Sequence, residues 1–479
     1  MRYRKFFADH FILGGIIVLA ILLRSWRYTS YPPSWDAAAY LSMGKYIFSQ
    51  GTVGLIEPFR PLLWPIMLGA GFKLGVSPII WGKILEFLLG IGNIVLVYLI
   101  GCRAFDKATG LIAVLFLSFS PVYFFWGNSL YADMPAAFLG LLSALLFLEK
   151  RYLLSGIFGA LAFFTKFVYL IVVIILTGFH AIDLFKKDRR EIPENPSKAI
   201  FPFLGGIIFT AALFLSIHFI LYKDALRPFM DGQKIYGQLH FGWWPGIQAC
   251  GRTLFLMEGL IFLFIPLSIF SLIRETNQQS KIIIGSIGLA LFFWVGKLPT
   301  DIPRFLIASL PYLYLLSAYG FLTAYRIAQQ AAWKYLSLCI IILSLGIQIW
   351  YIGEIRFPKN KPNIFQQYVL NHSPQLKGNL WISDPMTLVF SDLKAQEIMY
   401  YPVFDTQRIS DLSSNLSKAD YIFYDERALV CRPLHDAACQ EAKDQLFQKI
   451  KENFELVSPQ SPDPSISLGI FKRTSKINP

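Results

Sequence analysis

Apolar runs dominate the first three quarters of the chain. Stretches of about 18 or more apolar residues carrying few charges recur, each long enough to cross a bilayer as a helix. The pattern predicts eleven helical segments near 10–27, 79–101, 109–126, 133–148, 152–165, 167–184, 199–222, 253–273, 281–297, 303–324 and 334–355. The run from Pro61 to Gly75 is short and interrupted by Lys73, so it reads as an interfacial helix in the first external loop. The stretch 152–184 carries Lys166 in its middle and basic residues at both ends, which predicts a hairpin turning near Thr165-Lys166.

After Arg356-Phe357-Pro358 the pattern changes. Alternating pieces predict strands at Asn379–Ser383, Thr387–Phe390, Glu397–Val403, Tyr421–Tyr424 and Leu468–Phe471, with a polar amphipathic helix at Ala437–Asn453. The expected architecture is an α-helical polytopic membrane protein with a small C-terminal α/β domain. The expected domains are a transmembrane catalytic part over 1–356 and a soluble extracytoplasmic part over 357–479. The latter is large enough to bury a core of its own.

Composition supports the membrane reading. Of 479 residues, 55% are apolar and only 16% charged, where a soluble domain carries about 25% charged. This excludes a cytosolic enzyme, a disordered chain and a secreted disulfide scaffold. The apolar run Phe11–Leu23 lacks a small-residue cleavage site and feeds into Arg24, Trp26 and Arg27, so it reads as a retained span rather than a cleaved signal.

Charge then sets the orientation. The net charge is +13. The segment 357–479 holds 14 basic and 14 acidic residues, so the first 356 residues carry the whole excess. That excess sits between apolar runs, in the turns Arg103/Lys107, Lys150/Arg151, Lys186–Lys198, Arg274/Lys281 and Arg326/Lys334, together with Arg2, Arg4 and Lys5. A positive cytosolic face explains it, and no nucleic-acid partner is expected. With the N-terminus cytosolic, eleven crossings place the tail outside. Cys431 and Cys439, eight residues apart in that tail, are then expected to form a local disulfide, whereas Cys102, Cys250 and Cys339 are scattered.

Ionisable residues at membrane depth are costly and are candidate functional groups by default. The first external loop reads Tyr31-Pro-Pro-Ser-Trp35-Asp36-Ala-Ala-Ala-Tyr40, followed by Glu57-Pro-Phe-Arg60-Pro61. The second external turn reads Asn128-Ser-Leu-Tyr131-Ala-Asp133-Met-Pro135. Asp36 and Asp133 are the candidate catalytic carboxylates, able to act as a general base and as a hydroxyl or metal ligand. Each also sits where an ordinary helix cap would. Arg60, Lys166 and Arg304 lie on the same expected face, against the topological bias, and call for an anionic partner such as a phosphate. Snorkelling to lipid headgroups is the bland alternative. Tyr40 and Glu57 flank the first-loop charges. The loop 222–252 carries His240 among aromatics that include Tyr236, Trp243 and Trp244. It reads as an interfacial belt or as a lid over a lipid or sugar. Glu258 either pairs with Arg252 or lines a cavity.

With these residues in view, the sequence resembles the GT-C superfamily of membrane glycosyltransferases over roughly 10–355. It is most similar to the branch of protein O-mannosyltransferases and lipid A aminoarabinose transferases. The marks are Trp35-Asp36 with Tyr40, Arg60-Pro61, Tyr131-Ala-Asp133-Met-Pro135, Gly159-Ala-Leu-Ala-Phe-Phe-Thr165-Lys166, and Pro303-Arg304-Phe305 running to Pro311. The resemblance implies a polyprenyl-phosphate-linked sugar donor and a lipid, glycan or protein acceptor. It implies that Asp36 activates or positions the acceptor, with Asp133 beside it, and that Arg60 and Arg304 face the carrier phosphate. Many members carry a second acidic residue directly after the first, whereas Ala37 follows Asp36 here. No cofactor is therefore certain, and a divalent metal stays an open option. A polytopic lipid or solute transporter, or a flippase, is the competing reading. Related halves, common in transporters, are not visible in the sequence.

Overall fold

The computed structural model describes residues 2–26, 33–185, 197–237, 243–274, 278–297, 303–328, 330–354, 364–372, 376–433, 436–457 and 468–474. They form two compact units. One comprises Met1–Ser30, Lys83–Ser216 and Phe241–Phe357; the other comprises Tyr31–Gly82, Ile217–His240 and Pro358–Pro479.

Among the described residues, the regular elements of the first unit are all helices. Pro78–Ala104, Ala199–Tyr222 and Ala331–Glu354 are each long and apolar enough to cross a membrane. Shorter apolar helices include Lys107–Ser118, Asp133–Leu148, Tyr152–Thr165 and Gln279–Val295. At the centre lies Leu310–Ile327, whose residues 310–321 are all buried. A helix apolar on every side belongs inside a bundle. The predicted hairpin is present. Tyr152–Thr165 ends at Lys166, whose extended backbone (φ −155°, ψ 120°) turns the chain into a short 3-10 segment and then Leu170–Phe185.

Two predicted spans are broken, and both breaks have local causes. The segment near 109–126 splits into Lys107–Ser118 and Pro121–Trp126. Pro121 cannot continue a helix from its N-terminal side, and the Ser120 hydroxyl caps the new one at the Tyr123 amide. The segment near 253–273 is not continuous either. Trp243–Glu258 and Leu260–Arg274 meet at an angle of 117°. The hinge is Gly259, at φ +99°, a backbone region that favours glycine. A Cβ there would lie 2.7 Å from the Ser344 side chain, so glycine also permits close approach of the helix Ala331–Glu354.

The second unit contains a five-stranded sheet in the order β2-β1-β3-β5-β4. Its strands are β1 (Leu380–Ile382), β2 (Ala395–Ile398), β3 (Tyr421–Asp425), β4 (Phe454–Leu456) and β5 (Leu468–Arg473). The trio β2-β1-β3 is parallel, and β5 pairs antiparallel with both β3 and β4. The expected helix Ala437–Asn453 is observed and covers a core that includes Phe404, Ile422, Tyr424 and Leu446. Thr387–Phe390, expected as a strand, falls instead on the one-turn helix Met386–Val389. Periodicity does not separate strand from helix in an apolar run of four. Here the Asp384 carboxylate accepts from the Met386 amide at 2.8 Å and starts the turn. Cys431 and Cys439 are joined as a disulfide.

Two outcomes are expected from this architecture. Gly259→Ala should destabilise the protein by roughly 2–4 kcal/mol, through the left-handed backbone and overpacking against Ser344, read as a lowered unfolding temperature in detergent. Asp384, just past β1, is half-buried. Burial pushes its carboxyl up to about 6; the Met386 amide and Arg427 oppose this, while Asp425 adds to it. The folded state therefore holds this proton more tightly than the unfolded one. Its cost to stability grows between about pH 4 and pH 6 and is full above that. Asp384→Asn should stabilise the protein by roughly 2–3 kcal/mol at neutral pH, with the gain gone near pH 4. Thermal unfolding of both proteins across that range checks the sign.

Candidate active site

In the second unit, a charge cluster grows from the start of the helix Trp35–Phe48. Asp36 lies in its first turn, and the Ser34 side chain makes no capping bond. A carboxylate there complements the helix dipole. The helix packs against Leu63–Lys73 at backbone distance: a Cβ on Gly44 would sit 2.7 Å from the Pro65 carbonyl oxygen. The connecting loop is held at Gly54 by two backbone hydrogen bonds to the 393–395 segment, Gly54 N–H to Leu393 O at 2.8 Å and Ala395 N–H to Gly54 O at 3.0 Å. Near the end of that loop, Arg60 reaches back. Its Nη2 lies 3.0 Å from Asp36 Oδ1, its Nε donates to Glu57, and its guanidinium sits 5.1 Å from the Tyr40 ring centre and 4.9 Å from that of Phe59.

Burial separates the roles within this cluster. Glu57 is fully buried and Arg60 nearly so, whereas the Asp36 side chain is 24% exposed. Asp36 is thus the solvent-accessible carboxylate of the cluster. Burial alone would lower the pKa of Arg60. Glu57 first, then Asp36 and Tyr40, outweigh it and hold the guanidinium well above its usual value. The cation is permanent, and it fixes the orientation of the exposed carboxylate.

The first unit carries a second cluster. Asp133 begins the helix Asp133–Leu148 and is ion-paired with Lys166. The two helices that bring them together are clamped by Ser143 and Ser155, each hydroxyl donating to the other residue's carbonyl at 2.8 Å. Lys166 Nζ lies 4.8 Å from the Phe305 ring centre. Arg304 sits 4.3 Å from the Tyr131 ring and 5.0 Å from that of Phe305. Two cations therefore flank one aromatic ring beside a buried carboxylate.

The expected residues divide accordingly. Asp36, Tyr40, Glu57 and Arg60 gather in the second unit; Asp133, Lys166 and Arg304 gather in the first. His240 lies outside the described residues. Among the described residues, no three His, Cys, Asp or Glu side chains come together as a metal site. Asp36 and Asp133 each face a cation, so as arranged they do not fit a divalent ion. Glu258 does not pair with Arg252. It is fully buried and accepts from Ser120 Oγ at 3.0 Å, the Val122 amide at 2.8 Å, the Tyr314 hydroxyl and Gln348 Nε2 at 3.3 Å. It ties four helices together just before the Gly259 hinge.

Two residues escaped the sequence reading. Glu86, fully buried on the helix Pro78–Ala104, accepts from the Leu130 amide at 2.9 Å. Leu130 has φ +61°, a strained conformation for a leucine. Seven residues along the same helix, Asn93 reaches the Met134 carbonyl at 3.4 Å. These two side chains grip the turn that displays Tyr131 and Asp133. Two polar residues seven apart on an apolar span would have been the signal.

The comparisons agree with the geometry. Residues 60–222 match the family described as dolichyl-phosphate-mannose-protein mannosyltransferase. The fold is similar to that of ArnT from Cupriavidus metallidurans bound to undecaprenyl phosphate, with TM-score 0.59 and 11% identity over 96% of this chain and 98% of that one. It is also similar to the Archaeoglobus fulgidus oligosaccharyltransferase in the apo form, with TM-score 0.56 and 11% identity over 86% and 69%. The archaeal oligosaccharyltransferase AglB from the same organism, in complex with an inhibitory peptide and a dolichol-phosphate, gives TM-score 0.56 and 12% identity over 98% and 75%. No curated protein matches by sequence.

If Glu86 holds the turn, Glu86→Met should lower activity and stability together, since the Leu130 amide loses its buried acceptor at a cost of about 1–3 kcal/mol. Glu86→Gln, which keeps an acceptor oxygen, should do less harm. Unfolding temperatures of the two variants decide this.

Proposed function

We propose, from the premise that this chain has the fold of the GT-C membrane glycosyltransferases, that it moves a sugar from a polyprenyl-phosphate-linked donor to an acceptor on the extracytoplasmic face. The observation that carries this reading is the partly exposed Asp36 carboxylate held by a buried, permanently charged Arg60. The lipid phosphates in two of the similar structures, and the match of residues 60–222 to a dolichyl-phosphate-mannose-dependent family, support the donor class.

The residues suffice for the chemistry. Asp36 accepts the proton of an acceptor hydroxyl or amine. The acceptor atom then bonds to the anomeric carbon as the carbon–oxygen bond to phosphate breaks, and the polyprenyl phosphate leaves with that electron pair. The leaving group is a weak base, so cations stabilise it without a strong general acid. Arg60, beside Asp36, is the cation of the second unit suited to this role; in the first unit Lys166, oriented by Asp133, and Arg304 form a separate cationic cluster. Attack opposite the leaving phosphate inverts the anomeric centre. The membrane arrangement that goes with this reading has eleven spans, a cytosolic N-terminus and an external tail. It is supported by the second unit: the first loop, the 217–240 segment and the tail, all assigned to one face by the charge pattern, fold together.

The test is transfer from labelled polyprenyl-phosphate sugars by purified protein in lipid. Wild type should turn over. Asp36→Asn, similar in shape but unable to take up the proton, should be slower by about 100-fold or more with an unfolding temperature near wild type. Undiminished transfer by Asp36→Asn removes it as the base. No turnover with any donor, alongside translocation of another lipid or solute, favours a transporter.

A further inference from the structure

The α/β sheet does more than cover the second unit. Its three parallel strands β2-β1-β3 end on one side, and the carboxyl ends of parallel strands are where α/β sheets usually present functional groups. Immediately past β2 lies the pair Tyr400-Tyr401. The turn is fixed by backbone bonds from Met399 N–H to Ile382 O at 2.9 Å and from Tyr401 N–H to Ile398 O at 3.1 Å. Both tyrosines reach away from the sheet. Tyr400 donates its hydroxyl to Glu57, and its ring centre lies 4.6 Å from that of Trp35, the neighbour of Asp36. Tyr401 donates to Asp231 on the helix Arg227–Gly237 and stacks on Phe59, the neighbour of Arg60, at 5.8 Å and 9°.

These contacts complete a relay. Glu57 has one oxygen on Arg60 Nε and the other on the Tyr400 hydroxyl. A fully buried carboxylate needs its oxygens satisfied, and without Tyr400 the Glu57–Arg60 pair must rearrange or admit water. Arg60 holds Asp36, so that rearrangement reaches the exposed carboxylate.

We infer that Tyr400 is a positioning residue: through Glu57 and Arg60 it sets the orientation of Asp36, and so makes the α/β fold part of the catalytic apparatus. This rests on the transferase reading for its kinetic consequence, but not for its structural one.

The experiment pairs kinetics with amide hydrogen exchange on the full-length protein. Tyr400→Phe removes only the hydroxyl. We expect kcat to fall roughly ten- to hundredfold, the worth of one hydrogen bond to a charged group, with the donor KM within about twofold of wild type. Amides over 55–61 should exchange faster while those of β1 and β3 stay as in wild type. Combining Tyr400→Phe with Glu57→Leu should cost no more than Glu57→Leu alone, because that change already leaves the Tyr400 hydroxyl without its acceptor. Unchanged exchange at 55–61, additive losses in the double variant, or faster exchange throughout the sheet would overturn the inference. Faster exchange confined to 55–61 in a protein that transfers no sugar would leave the positioning intact and remove the transferase reading.

Discussion

Charge taken out of water must be paired or hydrogen-bonded, and the functional architecture of this chain follows from that constraint. Arg60 is buried between Glu57 and Asp36, and neither the loop that carries it nor the helix that carries Asp36 can move without breaking an ion pair. Asp133 is bound to Lys166 in the same way. Glu258, with no cation, is satisfied by four neutral donors. Removing one partner from such a group costs far more than the pair contributes. These clusters therefore enforce geometry more than they add stability.

The clusters differ in what they leave open. In the first loop the carboxylates outnumber the cation, and the surplus lies on Asp36, the exposed member. At the second turn Lys166 and Arg304 sit around Phe305 beside Asp133, with Glu86 buried behind the turn. A partly exposed carboxylate suits removal of a proton, and neighbouring cations suit an anion such as a phosphate.

Much of this was legible in the sequence because charges stand out against apolar runs. Asp36, Arg60, Glu57, Asp133, Lys166 and Arg304 were visible as such, and the helix Asp133–Leu148 and the turn at Lys166 followed from apolar length and flanking polarity. Their partners were not legible. Nothing local says that Tyr400 meets Glu57, 343 residues away, or that Glu86 holds the Leu130 amide, because such pairs exist only once the fold is formed. The kink at Gly259 was hidden too. A glycine within an apolar run reads as tolerated helix, and the deciding fact is the proximity of Ser344. In the tail, β4 (Phe454–Leu456) and the turn at Met386–Val389 were missed or misassigned because segments of three or four residues carry too little periodicity to identify.

The central claim is that the first-loop charges act in catalysis rather than simply holding the loop together. Pairing and chemistry can be separated by neutralising the whole cluster at once. In Asp36→Asn, Glu57→Gln, Arg60→Gln no ion is left unpaired, so the fold should survive where single charge deletions strain it. Sugar transfer and unfolding temperature should be measured on this triple variant side by side. The account predicts an unfolding temperature close to wild type and transfer reduced to background. A variant that folds and still transfers sugar at a rate near wild type would contradict it.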